Sequence, residues 1–248
     1  MKKTLAAATI AAIVGVAGAA NAADFYRGSL KDGAAFVPPP MWTGFYIGGH
    51  IGGAWGEFQN NWDFYLPGGW NVASDSWKSS IDGFFGGGTV GYNYQMGAFV
   101  VGFEADLGAI GFSGSTDHNG SWMTQNSTFY ADVTGRLGYA IGPTLIYAKG
   151  GWAYLDNPIT AGFYDYFGTS RTYNANSFYG WTIGGGVEYQ FSPSWSVKAE
   201  YQYFDFGEQT YQYVFSDGES QRQTTDFTLN TFKVGVNYHL NNIFVPLK

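Results

Sequence analysis

No cysteine occurs in the chain, so disulfides and thiolate chemistry are excluded, and an oxidising compartment is permitted without being exploited. Charge is scarce as well, with Asp, Glu, Lys and Arg together at 12% of the residues. The three histidines, His50, His118 and His239, fall in no metal-binding spacing. After the first 22 residues no apolar run reaches the ~20 residues that a membrane-spanning helix needs. Basic residues are the minority, 12 Lys and Arg against 19 Asp and Glu. That balance argues against nucleic acid, whose phosphates demand a basic footprint.

Aromatic residues, in contrast, make up 20% of the chain, and there are 37 glycines. Mean hydropathy is slightly polar at −0.14. A helical membrane protein would be strongly apolar, whereas a membrane barrel is not, because every second residue faces a polar interior. Residues 1–22 read as a secretory signal peptide. Lys2 and Lys3 start it, a nearly unbroken apolar stretch follows from Leu5 to Ala20, and Ala20-Asn21-Ala22 is a small-x-small cleavage site. Its removal takes away two positive charges and moves the formal net charge from −7 to −9. Residues 23–42, which contain Pro38-Pro39-Pro40, carry no strand pattern and read as an extended periplasmic tail.

From there the chain alternates apolar with polar in eight stretches, at 43–55, 80–94, 98–112, 127–141, 144–155, 176–191, 195–206 and 226–240. Tight gaps at 95–97, 142–143 and 192–194 take turns with much longer ones. Short turns on one side and long loops on the other are the pattern of a transmembrane β-barrel. The expected fold is all-β, an eight-stranded antiparallel up-and-down barrel over 43–240, with four long outer loops and three short periplasmic turns. The third stretch is the cleanest. Phe99, Val101, Phe103, Ala105, Leu107 and Ala109 share one face, and Glu104 and Asp106 the other, so a one-residue slip would put both carboxylates into lipid. Aromatics near the strand ends (Trp42, Phe45, Tyr92, Tyr94, Tyr139, Trp152, Tyr154, Tyr189, Phe191, Trp195 and Tyr238) read as interfacial girdles.

The segment Trp42-Thr43-Gly44-Phe45-Tyr46-Ile47-Gly48-Gly49, after a proline-rich tail, resembles the first strand of a known family. That family is the small outer-membrane β-barrel proteins of alphaproteobacteria, often labelled porin-family or surface-antigen proteins. In architecture they are similar to the OmpA membrane domain and OmpX. Val234-Gly235-Val236-Asn237-Tyr238 resembles the closing strand, and Val187-Glu188-Tyr189 ahead of a serine-proline turn is also typical. The resemblance implies residence in the outer membrane and contributes no catalytic residue. Members commonly end at the aromatic residue that closes the last strand. Here residues 241–248 follow, so either the assembly signal is read internally or Phe244 serves as the end.

Parity sends Glu104, Asp106, Asp132, Glu188 and Glu200 into the lumen as acids, with Arg136, Lys149, Lys198 and Lys233 as bases. Charges held away from water persist only when partnered, so these nine are expected to form a structural network. No catalytic, metal or cofactor site is expected. A lipid-cleaving barrel would need a Ser-His-acid set on its lipid wall, and parity places no histidine there. The outer loops carry Glu57, Asp63, Asp75, Asp117, Asp156, Asp165, Glu208, Asp217 and Glu219 against Lys78, Arg171 and Arg222. They also carry Trp62, Trp70, Trp77, Phe163, Tyr166 and Phe167. Mid-loop turn residues suggest that at least two loops continue their strands as hairpins. The expected partners are outer-membrane lipids, lipopolysaccharide and an extracellular partner at the acidic aromatic loops, with no nucleic acid and a monomeric chain. Three functions remain open: a structural barrel with surface recognition or adhesion, a narrow low-conductance ion channel, and a lipid-modifying enzyme.

Overall fold

A computed structural model describes residues 41–240 except 114, 119–120, 126, 157–158, 165–169, 175–176 and 215–217. At 113, 115–118, 121–125, 159–164, 170–174, 211 and 213 it describes the backbone alone. The signal peptide, the tail up to residue 40 and the extension 241–248 lie outside the described residues.

Twelve strands follow one another without a helix among the described residues. They are β1 (Gly44–Leu66), β2 (Trp70–Met96), β3 (Phe99–Ser113), β4 (Ser115–His118), β5 (Ser121–Gln125) and β6 (Thr128–Ile141), then β7 (Thr144–Leu155), β8 (Ile159–Tyr164), β9 (Ser170–Asn174), β10 (Phe178–Ser192), β11 (Trp195–Val214) and β12 (Ser220–His239). Eight of them close a barrel in the order β1-β12-β11-β10-β7-β6-β3-β2, every pair antiparallel. The last strand zips onto the first from Tyr46↔His239 to Tyr65↔Ser220. This is the expected meander, with two-residue turns joining β2 to β3, β6 to β7 and β10 to β11.

Alternation of apolar and polar residues sets which way each strand faces. On β3, Phe99, Phe103 and Leu107 are exposed on the outer wall while Glu104 and Asp106 are buried. β10 does the same with Tyr179, Trp181, Ile183 and Tyr189 outside and Thr182 and Glu188 inside. A wall of exposed Phe, Ile, Val and Trp around a buried polar interior is an inverted soluble protein, stable only with lipid around it.

The long-loop end differs from four simple loops. β1 and β2 stay paired to Leu66↔Trp70, far beyond the expected end at residue 55. β11 and β12 stay paired to Val214↔Ser220. At a rise of about 3.3 Å per residue, the 23 residues of β1 run about 75 Å, while a tilted crossing needs only ~9–11 residues. The other two loops hold β4, β5, β8 and β9, which form a separate four-stranded sheet in that order. Its order repeats that of β3, β6, β7 and β10, the barrel strands that adjoin these four along the chain.

Two glycines show how tightly this wall is fitted. Between Asp205↔Thr228 and Glu208↔Asp226, β11 places two residues, Phe206 and Gly207, against the one Phe227 of β12, a β-bulge. Gly207 takes the left-handed backbone there (φ 64°), and its N–H donates to Asp205 Oδ1 at 2.9 Å. Gly91 points inward, where a Cβ would sit 2.3 Å from Tyr46 Oη. Gly91→Ala is therefore expected to destabilise the barrel by about 1–3 kcal/mol. Gly53→Ala, whose Cβ would meet nothing within 4 Å, should be neutral or slightly stabilising. Urea unfolding of the refolded barrel in detergent, followed by tryptophan fluorescence, would compare the two.

Candidate functional site

Among the described residues, chemistry-bearing side chains gather in the lumen, which is filled in three tiers. At the short-turn end, Trp42, Val100, Leu145 and Tyr147 form a buried cluster. Trp42 is fully buried rather than part of the lipid girdle expected from its neighbours. It lies two residues ahead of β1 but shares the even, inward parity of Tyr46 and His50, opposite to exposed Phe45 and Ile47. Its backbone N–H donates to Gln95 Oε1 at 3.0 Å, and its ring lies edge-on to His239, centroids 5.8 Å apart.

The middle tier contains the nine charged residues, each at most 3% exposed. Lys149 Nζ reaches Glu104 at 2.7 Å, Asp106 at 2.9 Å and Glu200 at 3.1 Å. Lys233 Nζ joins Asp106 at 2.5 Å and Glu200 at 2.8 Å. Lys198 Nζ lies 3.0 Å from Glu104. Arg136 Nη2 is 2.5 Å from Glu188, and its guanidinium lies 3.6 Å from the centre of the Tyr147 ring. Asp132 is brought in only loosely, 3.8 Å from Lys149.

Neutral side chains complete the tier, and these were missed by a reading that looked only for charge. Tyr46 and Tyr147 donate to Glu104 and Glu200 at 2.8 and 2.7 Å. Ser196 and Asn237 donate to Glu188 at 2.5 and 2.8 Å. Thr89 donates to Asp106 at 2.5 Å, and His50 bridges Thr89 to Tyr130. All lie on inward positions of their strands, so the parity that selected Lys149 also pointed to Tyr147. These hydrogen bonds occupy the carboxylate lone pairs that the ammonium groups leave over, which a buried ion pair requires.

The third tier departs from the expected polar interior. Toward the long-loop end the lumen is apolar, with Phe58, Phe85, Phe112, Phe178, Phe204, Phe206 and Phe227 in one buried cluster. Phe58 stacks on Phe227 (4.0 Å, 8°), and Phe227 on Phe206 (5.3 Å, 9°). Phe178 stands edge-on to both Phe206 and Phe227. Offset stacks and edge contacts of this kind fill the bore with rigid rings.

The site lends itself poorly to catalysis. Glu104, Asp106 and Glu200 are the one carboxylate group among the described residues compact enough to hold a metal ion, but lysine ammonium groups already sit on all three. Ser196, His239 and Glu188 do meet, with Ser196 Oγ 2.9 Å from His239 Nε2. Yet the serine hydroxyl donates to Glu188, and His239 Nδ1 has no hydrogen-bond partner among the described residues. A serine nucleophile needs the acid on the far ring nitrogen, and all three residues are buried inside the barrel. Of the outer aromatics, Trp70 is exposed while Trp62 and Trp77 are half-buried. The side chains of Asp117, Phe163, Asp165, Tyr166, Phe167, Arg171 and Asp217 lie outside the described residues.

An antiparallel barrel with an apolar outer wall and a charge-paired, plugged lumen is an integral outer-membrane barrel protein. Residues 8–239 match the family described as "Outer membrane protein beta-barrel domain", and the chain belongs to that family. Among curated relatives, the 31 kDa outer-membrane immunogenic protein of Brucella melitensis is 30% identical over 211 residues, 83% of this chain and 86% of the relative. The 22 kDa outer membrane protein of Rhizobium leguminosarum bv. viciae is 29% identical over 206 residues, 82% and 80% of the two chains. Among solved structures, Neisserial surface protein A (NspA) aligns with a TM-score of 0.44 at 14% identity, covering 80% of this chain and 98% of that one.

Arg136 tests the cost of breaking the network. Arg136→Met removes its charge and leaves Glu188 buried without its base, which should cost about 3–5 kcal/mol. Adding Glu188→Gln should recover part of that loss, giving a coupling of more than about 1 kcal/mol in a double-mutant cycle read by urea unfolding.

Proposed function

We propose that this protein acts at its outer face, as a closed barrel that anchors a β-structured crown for surface recognition or adhesion. The observation that carries this reading is the double closure of the lumen. A permeating ion would have to displace directly paired lysines and carboxylates and then pass a stack of phenylalanines. Eight strands give a bore only wide enough for side chains to fill. The extension of β1, β2, β11 and β12 past the membrane adds support, since this length has no use in a simple channel. A relative that is itself named immunogenic accords with a crown reachable from outside the cell.

The crown's chemistry bears on its partner. Among described side chains, Glu57, Asp63, Asp75, Asp156, Glu208 and Glu219 stand against Lys78 and Arg222, and Lys78 is already 2.7 Å from Glu57. The acidic excess favours a basic extracellular partner. Outer-membrane lipid and lipopolysaccharide would contact the wall and its aromatic belt, and a single chain suffices to close the barrel.

Two measurements test the proposal together. In planar bilayers the purified barrel should give no discrete conductance steps above the lipid baseline. Cells lacking residues 209–224 should lose binding to the recognised surface while the barrel still inserts. Regular unitary currents, with surface binding unchanged by that deletion, would replace this reading with a low-conductance channel.

A further inference from the structure

The nine lumen charges do not divide evenly. Glu104, Asp106, Glu188 and Glu200 already balance Arg136, Lys149, Lys198 and Lys233, and each of these acids touches a base at 2.8 Å or closer. Asp132 is the fifth acid. It is 1% exposed, and among the described residues its one ion pair is the 3.8 Å approach of Lys149 and neither carboxylate oxygen has a hydrogen-bond partner. A buried acid surplus to the network is costly and calls for an occupant beside it.

Space for one exists. Between the charged tier and the phenylalanine tier lies a small, mainly apolar cavity whose lining also includes Asp132, Tyr130, Tyr154, Gln202, Thr231 and Lys233. It leaves about 10 Å³ for the centre of a water-sized molecule, which is room for one. The hydrogen-bond directions around it can be worked out. Thr89 gives its only proton to Asp106, so its oxygen accepts from His50 Nδ1 at 3.0 Å. In a neutral ring that leaves His50 Nε2 to accept from the Tyr130 hydroxyl. Tyr130, its proton given to His50, and Asp132, whose two oxygens have no hydrogen-bond partner among the described residues, are then acceptors among the residues that line the cavity. Gln202 Nε2, also without a hydrogen-bond partner in the protein, is a donor.

We propose that this chamber is a binding site for one water-sized hydrogen-bond donor carrying at least two O–H or N–H bonds, a water molecule or an ammonium ion. The guest donates to Asp132 and Tyr130, and a water also accepts from Gln202, which gives it the three bonds usual for buried solvent. The Lys233 ammonium on the same wall favours the neutral guest. Asp132 is thus joined to the network through its guest and is the one acid of the five that direct pairing does not need.

The test combines crystallography with thermal unfolding of the detergent-folded barrel. In sodium chloride free of ammonium, a high-resolution structure should show one peak within hydrogen-bond reach of Asp132 and of Tyr130 or Gln202. Asp132→Leu should abolish it. Asp132→Asn, which keeps the shape and drops the charge, should leave the unfolding temperature unchanged or higher, while Glu104→Gln should lower it by more than about 4 °C. Equal unfolding temperatures in sodium and ammonium chloride at matched ionic strength assign the guest as water. A rise in ammonium that Asp132→Asn lacks assigns it as ammonium. The proposal is overturned if the Asp132 carboxylate bonds Lys149 or Lys233 directly with no guest peak, or if Asp132→Asn loses as much as Glu104→Gln.

Discussion

The structure depends on one constraint, that charge placed inside a closed barrel must be neutralised there. Lys149 meets it most directly. Its ammonium lies within 3.1 Å of three carboxylates that come from β3 and β11, so one side chain ties together strands that are not neighbours in the ring. Lys233, from β12, repeats the link by bonding acids on the same two strands. Backbone ladders hold each strand to the next but say nothing about the bore, and a ring of ladders alone could flatten. The cross-lumen pairs act as spokes. They cost desolvation, and what they provide is a defined cross-section.

The phenylalanine tier follows from the same constraint. Ion pairs gain strength where water is excluded, and a stack of rings toward the long-loop end keeps bulk solvent away from the acids. Trp42 and its cluster do the same at the periplasmic end. The three tiers are therefore mutually supporting: the apolar caps make the ionic layer worth more, and the ionic layer holds apart the strands whose rings fill the bore. Gly91 belongs to this arrangement, because the Tyr46 hydroxyl that donates to Glu104 occupies the space a Cβ would take.

Much of this was legible in the residues. Alternation with period two is a direct consequence of strand geometry, so Glu104, Arg136, Lys149 and Lys233 could be assigned to the interior without coordinates. What parity could not supply was depth. Phe58, Phe178, Phe206 and Phe227 share the inward parity of the charged residues, yet lie in a separate tier, because position along the bore comes from tilt and stagger rather than from alternation. Trp42 was misjudged because its nearness to a strand end was weighed above its parity, which is that of the buried Tyr46 and His50. The polar partners Thr89, Ser196 and Asn237 look like ordinary strand residues until a carboxylate from another strand is brought to them.

The crown was legible in part: mid-loop turn residues pointed to strands continuing as hairpins, and β1–β2 and β11–β12 do so. Composition changes from apolar to polar near residue 56, as it must where lipid ends, and that change hides how far each strand runs. Hydrogen bonding does not end there, because antiparallel pairing needs only a partner in register and β12 supplies one to β1 as far as Tyr65. The bulge at Gly207 lets this continuation twist without breaking. Above it, β11 and β12 pair as before, but Glu208 and Thr210 now present the exposed face that Tyr201 and Tyr203 presented below. On β11 a single residue in the left-handed backbone thus exchanges the outward-facing set as the strand leaves the membrane, while the backbone ladder to β12 carries on above it.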